Sequence, residues 1–569
     1  VFLVPPRQDI LTLWRLLSLF SSHRKNLLFL LVLTSILYLV ALGSHGLLDP
    51  DEGRYSEIPR EMIESGDFIT PRLNYVAYFE KPVLHYWLTA LSFKALGQNE
   101  FAARFWPAVL AIAGVFVTYW LANRMNGPRA AFLSSWILAT SLVYFAIGQI
   151  NITDMPLSFF ITLSLAGFWM GHRRDRRYYL LFYLGMALAT LTKGLIGIVL
   201  PAGVVFWWIV MTRKWSVIRE ALYLPGIVVF FLTATPWFVL VCLENPDFFD
   251  FFFIQEHFLR YTTKIHDRFE PCWWFIPIII VGFIPWTGFL PGAVSGALPS
   301  SLARPTHQDR GNLFLLLWFG IIFIFFSLSS SKLIPYIIPV MPPLAILAGS
   351  FLDLHMDKGK TRSLGMGLLL NSLILVPFGV AAAAYPFLDE RYGKVLLPFV
   401  APVVAVLILL VVLSWVYYLK GQSRRVVLTL CIFAFLNIAT FKNVFGFYDG
   451  IMSARDLASV IRRHALPDDV IAQYRDYDQG LPFYLERRIV LVDWRGELEF
   501  GANRGDQSDW FLDSEGFIER YWTSDERVLL VMREEQSTEL FETRGVTPVI
   551  LARVSGKLVV TNKGDEKDQ

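Results

Sequence analysis

With 569 residues, 55% of them hydrophobic and only 17% charged, and a mean hydropathy of +0.48, the chain is too apolar for a soluble multi-domain protein, where charged residues average about 25%. Its net charge of +3 conceals a division: residues 446–569 hold 16 Lys and Arg against 24 Asp and Glu, so the tail carries −8 and the preceding 445 residues +11. The basic residues fall in short loops rather than along one stripe, which excludes a nucleic-acid-binding face and leaves an integral membrane protein.

The first apolar run, Asn26–Gly43, follows a basic segment containing Arg15, Arg24 and Lys25. It exceeds the roughly 7–15 residues of a signal-peptide core and many runs follow it, so it reads as a retained first helix. Further apolar runs lie at 101–123, 129–147, 155–171, 178–193, 194–212, 221–243, 273–296, 312–329, 333–351, 363–385, 395–418 and 425–442. The expectation is a polytopic α-helical membrane protein with about thirteen transmembrane helices, which at about 20 residues each would absorb roughly 260 residues. Alternate short connections are basic: Arg124/Arg129, Arg173/Arg174/Arg176/Arg177, Arg213/Lys214/Arg219, Arg304/Arg310, Lys358/Lys360/Arg362 and Lys420/Arg424/Arg425. The positive-inside rule puts these and the N-terminus in the cytoplasm, and an odd number of crossings then delivers the acidic tail to the other face.

Two domains follow: a membrane domain over 1–445, with long non-cytoplasmic loops at 44–100 and 244–272, and a soluble α/β domain over 446–569. In the tail, Asp456–Ala465 has the pattern of a short amphipathic helix. Arg488–Val492, Val528–Met532, Val546–Leu551 and Leu558–Thr561 are rich in Val and Ile, as strands are. No catalytic motif stands out there. Cys242, Cys272 and Cys431 form no regular framework and are expected to be buried free thiols, although Cys242 and Cys272 flank one loop.

The unusual polar residues cluster in the non-cytoplasmic connections. Asp49-Pro50-Asp51-Glu52-Gly53-Arg54-Tyr55 follows the first helix. As ordinary structure, Asp51 would cap a helix whose first turn Glu57 charges. Tyr78-Phe79-Glu80-Lys81-Pro82 ends the same loop; Glu80 and Lys81 either neutralise one another or offer a metal ligand and a phosphate-binding cation. Asp154, two residues before Pro156, is an ordinary N-cap arrangement or a second functional acid. Glu256-His257 and Arg260, with Lys264, His266 and Arg268, could make an anion-binding face, or Glu256 and Arg260 only a helix-surface pair. Lys332 either snorkels or shares a helical face with Tyr336 toward a phosphate. Each element has a plain structural explanation, but all five lie on one side of the expected topology, and their clustering points to a single active site.

In order along the chain, DEGRYSEIPREM, YFEKPVLHYW, TDMP, LTKGLIGIVLP, TPWF, EHFLRY and SSSKLIPYIIP resemble the bacterial branch of the protein-mannosyltransferase-like glycosyltransferases of GT-C architecture. The resemblance is nearest to the undecaprenyl-phosphate aminoarabinose:lipid A transferases and covers about residues 26–350. It implies a multi-pass enzyme of the bacterial inner membrane, with the N-terminus cytoplasmic and the C-terminal domain periplasmic. Its implied activity is inverting transfer of a sugar, 4-amino-4-deoxy-L-arabinose, from an undecaprenyl-phosphate donor to a lipid A phosphate. By the same resemblance Asp51, Arg54, Lys81 and Asp154 are catalytic, and Lys81, Arg260, Lys332, Tyr336 and Tyr55 bind the donor phosphate. A divalent metal, zinc or magnesium, near Glu80 and His257 is a further possibility, although two ligands are few for zinc. The alternatives are a related polyprenyl-phosphate-sugar transferase acting on protein, polysaccharide or another lipid, and, lower in rank, a lipid or sugar transporter. Lys193-Gly194, between two short spans, is the feature that favours transport.

Overall fold

The computed structural model describes residues 23–259, 270–299, 301, 306–388, 393–541 and 547–564. Each of the thirteen apolar runs forms a helix or a pair of helices. Among the described residues, seven helices are long and apolar enough to cross a membrane, or eight if the bent pair Phe275–Gly282 and Thr287–Ala297, turned by 113°, is one span. Part of the shortfall from thirteen has local causes. The run 129–147 divides at Thr140-Ser141 into Pro128–Ala139 and Leu142–Ile147, the helices Tyr179–Lys193 and Ile196–Thr212 are only 15 and 17 residues long, and Pro285, which has no backbone donor, lies in the break of the bent pair. The helices Leu224–Glu244, Arg362–Leu388 and Gly393–Leu419 leave most of their apolar side chains on the outside, Leu232 at 71% and Phe387 at 78% exposure. Lipid, not water, is the solvent that suits such faces.

The connection 44–100 is structured. Asp51–Ser65 is a helix closed by Gly66, which takes φ +74° and donates its N–H to Met62 O at 3.0 Å, the left-handed termination glycine permits. A short ladder pairs Arg72–Leu73 with Val76–Ala77, and Leu84–Leu96 returns toward the bundle. Arg104, fully buried in the helix Glu100–Asn126, grips Glu52 at 2.8 and 2.7 Å and anchors this layer to the bundle.

The helix Val444–Met452 crosses the expected division at 445/446, and the α/β part begins with the helix Arg455–His464. Its six-stranded sheet has the spatial order Phe511–Leu512, Val490–Val492, Val470–Tyr474, Val528–Arg533, Lys557–Thr561, Val549–Val554. The first four strands are parallel and the last two antiparallel. The central strand Val470–Tyr474 and the edge pair Phe511–Leu512 escape sequence patterning: Ala472 and Gln473 interrupt the apolar run, and both are buried. The connection between Val470–Tyr474 and Val490–Val492 faces the membrane domain. Gly480 N–H donates to Asp49 at 2.7 Å, and Asn74 exchanges hydrogen bonds of 2.8 and 2.9 Å with the Ile489 backbone. The cysteines are free, but only Cys431 is buried; Cys242 is half-buried and Cys272 exposed, because both lie near the ends of the 244–272 connection.

Candidate active site

A polar cavity of about 540 Å³ opens where the 44–100 layer, four helix ends and the tail converge. Asp51, Arg54 and Tyr55 come from the start of Asp51–Ser65, Glu80 and Lys81 from the end of the same layer, and Asp154 from the start of the helix Asp154–Arg173. Lys193 comes from the end of Tyr179–Lys193, Pro335 and Tyr336 from the turn before Met341–His355, and Glu497, Glu499, Phe500 and Asn503 from the tail.

Neither helix-start acid is a cap. Pro50 and Thr153 occupy the cap positions, without side-chain capping bonds, and Asp51 and Asp154 are the first helical residues. Asp51 is half exposed to the cavity and pairs with Arg54. Arg54 is buried and also bonds Glu497 of the tail and the Tyr78 hydroxyl, the latter at 2.8 Å. Burial works against its charge, but Tyr78, Glu497, Tyr55 and Asp51 outweigh it and hold the guanidinium firmly protonated. Burial raises the Tyr55 phenol well above its ordinary range, so Tyr55 is a neutral wall; its ring stands edge-on to His85 at 5.5 Å. His85 is held neutral as burial lowers its pKa to about 3. Lys81 Nζ lies 3.7 Å from the Glu80 carboxylate and donates to the Glu80 carbonyl at 2.9 Å. Lys193 Nζ donates to Asp154 at 2.6 Å and sits 4.4 Å from the centre of the Tyr336 ring.

The structure thus brings together Asp51, Arg54, Tyr55, Glu80, Lys81, Asp154 and Tyr336. It does not place Lys332 among the lining residues. Lys332 precedes the tight turn Ile334–Val340 instead of sharing a helical face with Tyr336, and its ammonium donates to the carbonyls of Glu270 and Ser329 at 2.7 and 2.6 Å. Arg260 and the His257 side chain lie outside the described residues, as do Lys264, His266 and Arg268. Among the described residues no three His, Cys, Asp or Glu side chains stand close enough to hold an ion, and Glu80 already faces an ammonium, so these residues alone do not build a metal centre.

Two contributions were not anticipated. Lys193 stands out in the sequence only beside Gly194, as a feature that favours transport, yet it ends a helix on the side where Asp154 begins one. Glu497 and its neighbours belong to no motif; the signal is the acidic cluster Glu497/Glu499 just beyond the strand Val490–Val492. Among the described lining residues, three cations (Arg54, Lys81, Lys193) face six carboxylates (Asp51, Glu80, Asp154, Glu256, Glu497, Glu499). Such a cavity can hold a phosphate on its cations while its acid surplus receives a ligand bearing a positive charge.

The family model for dolichyl-phosphate-mannose-protein mannosyltransferase matches residues 25–252, and that for the aminoarabinose transferase C-terminal domain matches residues 457–562. The undecaprenyl phosphate-α-4-amino-4-deoxy-L-arabinose arabinosyl transferase of Pseudomonas aeruginosa (strain UCBPP-PA14) is 30% identical over 92% of this chain and 95% of its own. That of Edwardsiella ictaluri is 29% identical over 89% and 94%. Among solved structures, ArnT from Cupriavidus metallidurans bound to undecaprenyl phosphate superposes with a TM-score of 0.83 at 30% identity, covering 94% of this chain and 98% of that one. The archaeal oligosaccharyltransferase of Archaeoglobus fulgidus shares the fold alone, with a TM-score of 0.50 at 13% identity over 82% and 64% of the two chains.

Proposed function

This chain belongs to the undecaprenyl phosphate-α-4-amino-4-deoxy-L-arabinose arabinosyl transferases, and we propose that it moves 4-amino-4-deoxy-L-arabinose from undecaprenyl phosphate to a lipid A phosphate. The observation that carries the reading is the single cavity joining Asp51, Lys81, Asp154 and Lys193 from separate segments. An acceptor phosphate oxygen attacks the anomeric carbon. The bond from that carbon to the donor phosphate oxygen breaks, and undecaprenyl phosphate leaves with the electron pair. One displacement inverts the anomeric centre.

Charge grows on the departing phosphate, so cations aimed at it stabilise the transition state most. Lys81 and Lys193 supply them here, with Arg260 proposed as a third; the carbonyl-bound Lys332 is given a part in shaping the turn before Tyr336. An ionised acceptor phosphate needs no general base. Asp51, fixed by Arg54, then serves to position the sugar, and the surplus of carboxylates suits its amino group. If the acceptor were a hydroxyl, Asp51 would be the base. A divalent ion at Glu80 and His257 is a separate proposal, and no step above passes through it.

We assign thirteen crossings of the inner membrane, with a cytoplasmic N-terminus and a periplasmic domain that begins near residue 446. The alternating loop charge and the shared cavity of loop and tail support that assignment. The test is mass spectrometry of lipid A from cells that lack their own transferase and express this chain. The expected result is an added aminoarabinose, lost by at least 100-fold in Lys81→Ala and in Asp51→Ala at equal membrane abundance. An unchanged lipid A profile beside sugar on another acceptor would move the reading to a related transferase. Loss of transfer on chelation, with return on adding zinc or magnesium, would support the metal.

A further inference from the structure

The helix Asp154–Arg173 begins in the polar cavity and ends, about 28 Å away at 1.5 Å per residue, in a second pocket that the transfer reaction does not use. This pocket, of about 200 Å³, has Trp169 in its wall and is ringed by Arg124, Arg173, Arg174 and His307. That volume is several times the ~30 Å³ share of a liquid water. Arg310 and Lys214 stand close enough to perturb the group: after burial, Arg310 and Arg174 lower the Arg173 pKa, and Arg310 and Arg173 lower that of Lys214.

Basic loops are common at this end of a membrane bundle, so the question is whether these cations are merely topological. Their neighbours provide the contrast. On the same face Arg129 pairs with Asp353 and Asp357, and Arg424 with Asp357. Among the described residues no acid pairs with Arg124, Arg173, Arg174 or Arg310. The nearby acids are committed elsewhere: Asp309 accepts the Thr306 N–H at 2.9 Å, Asp175 the Arg177 N–H at 2.9 Å, and Glu220 faces His172 at 3.2 Å. The Arg310 Nε is buried without a hydrogen-bond partner. Arginines gathered around a concavity, mutually repelling and without a paired acid among the described residues, form an electrostatic vacancy that an anion of two or more oxygens would fill.

We propose that this pocket is a phosphate-binding site, distinct from the transfer site, that takes the phosphate of an anionic lipid headgroup. The aromatic and apolar part of the wall, Trp169 with Met125 and Met170, favours a lipid over a soluble phosphate. The Trp169 indole packs edge-on to Trp208 at 5.9 Å, and indoles concentrate at the headgroup level of a bilayer. Guanidinium forks engage phosphate oxygens in pairs, and Arg173 and Arg174 at the helix C-terminus also lie where the helix dipole favours a cation.

The experiment is native mass spectrometry of the full chain purified in detergent with added phosphatidylglycerol or phosphatidylcholine. The expected result is one phosphatidylglycerol retained through a wash that removes phosphatidylcholine. Retention should fall at least fivefold in Arg173→Gln/Arg174→Gln and stay unchanged in the exposed control Arg177→Gln. Melting temperature and gel-filtration profile establish that each variant is folded. A parallel arm measures protection of the wild-type chain and of the double variant against heat by inorganic phosphate. Protection that depends on Arg173 and Arg174 without lipid retention would keep the phosphate site but make its ligand soluble. Equal retention by wild type and the double variant, with no phosphate protection, would overturn the site.

Discussion

Arg104 is fully buried, and its guanidinium reaches five acceptors: both Glu52 oxygens and the carbonyls of Leu42, His45 and Gly46. Glu52 in turn accepts the N–H groups of Leu48 at 3.0 Å and Asn151 at 2.7 Å, so one carboxylate ties the segment of Asp51 to the segment of Asp154. Burial alone would raise the Glu52 pKa, but Arg104 and these two N–H groups prevail and hold it below the usual carboxylate range. Its stabilising contribution is therefore complete above the unfolded value of about 4.3 and is lost as pH falls through the depressed folded value. Arg104→Ala leaves a buried, uncompensated carboxylate, a loss of about 3–5 kcal/mol. In that variant burial raises the Glu52 pKa, so the sign reverses: acid neutralises the stranded charge. The expected outcome is a lower melting temperature in detergent at pH 7, with a gap to wild type that narrows toward pH 4; a pH-independent gap would refute the assignment. At this scale the sequence exposed the acids Asp51 and Asp154 but not this linchpin. Arg104 lies inside an apolar helix, 52 residues from its partner, and no local pattern announces such a pair.

The helix Asp51–Ser65 packs against the tail helix Gly480–Leu485, and the seam between them has no spare room. A Cβ on Gly53 would lie 2.1 Å from Asp49 Oδ1 and 2.3 Å from Gly480 N, across the 2.7 Å hydrogen bond those atoms make. Gly53→Ala must push the tail away or turn the helix, at a cost of about 1–3 kcal/mol typical of overpacking. It would also pull Glu497 from Arg54. Transfer should therefore fall more than melting temperature does, whereas Gly480→Ala, whose Cβ meets Asp49 Oδ1 at a milder 3.0 Å, should lose less of both. A comparison of transfer rate and melting temperature for the two variants decides it. At this scale the helices were legible as apolar runs and their breaks were not: Thr140-Ser141 sits between two apolar stretches and looks like their continuation. The helix Arg455–His464 was visible by its amphipathic pattern and four strands of the tail by their Val/Ile content. The central strand was not, because Ala472 and Gln473 break its apolar run and its burial comes from the parallel strands on either side of it.

The partition of charge, +11 before residue 446 and −8 after it, and the composition of the cavity make the same demand on the whole molecule. The connection 44–100 and the tail supply opposite walls of one site, so they must lie on one side of the membrane, and the unpaired and paired arginines at the far ends of the helices on the other. The sequence could suggest this only through parity and loop charge, since the contacts joining Arg54 to Glu497 or Asn74 to Ile489 span more than 400 residues. In a Cys242→Ser/Cys272→Ser/Cys431→Ala background, single cysteines at the exposed positions Gln98, Ser508 and Lys358 test it. A membrane-impermeant maleimide applied to spheroplasts should label Gln98→Cys and Ser508→Cys, and should reach Lys358→Cys only after permeabilisation. Labelling of Lys358→Cys alone would invert the orientation while keeping the fold. Labelling that separates Gln98→Cys from Ser508→Cys would break the shared cavity itself, because no single bilayer can divide two walls held together by Arg54, Asp49 and Asn74.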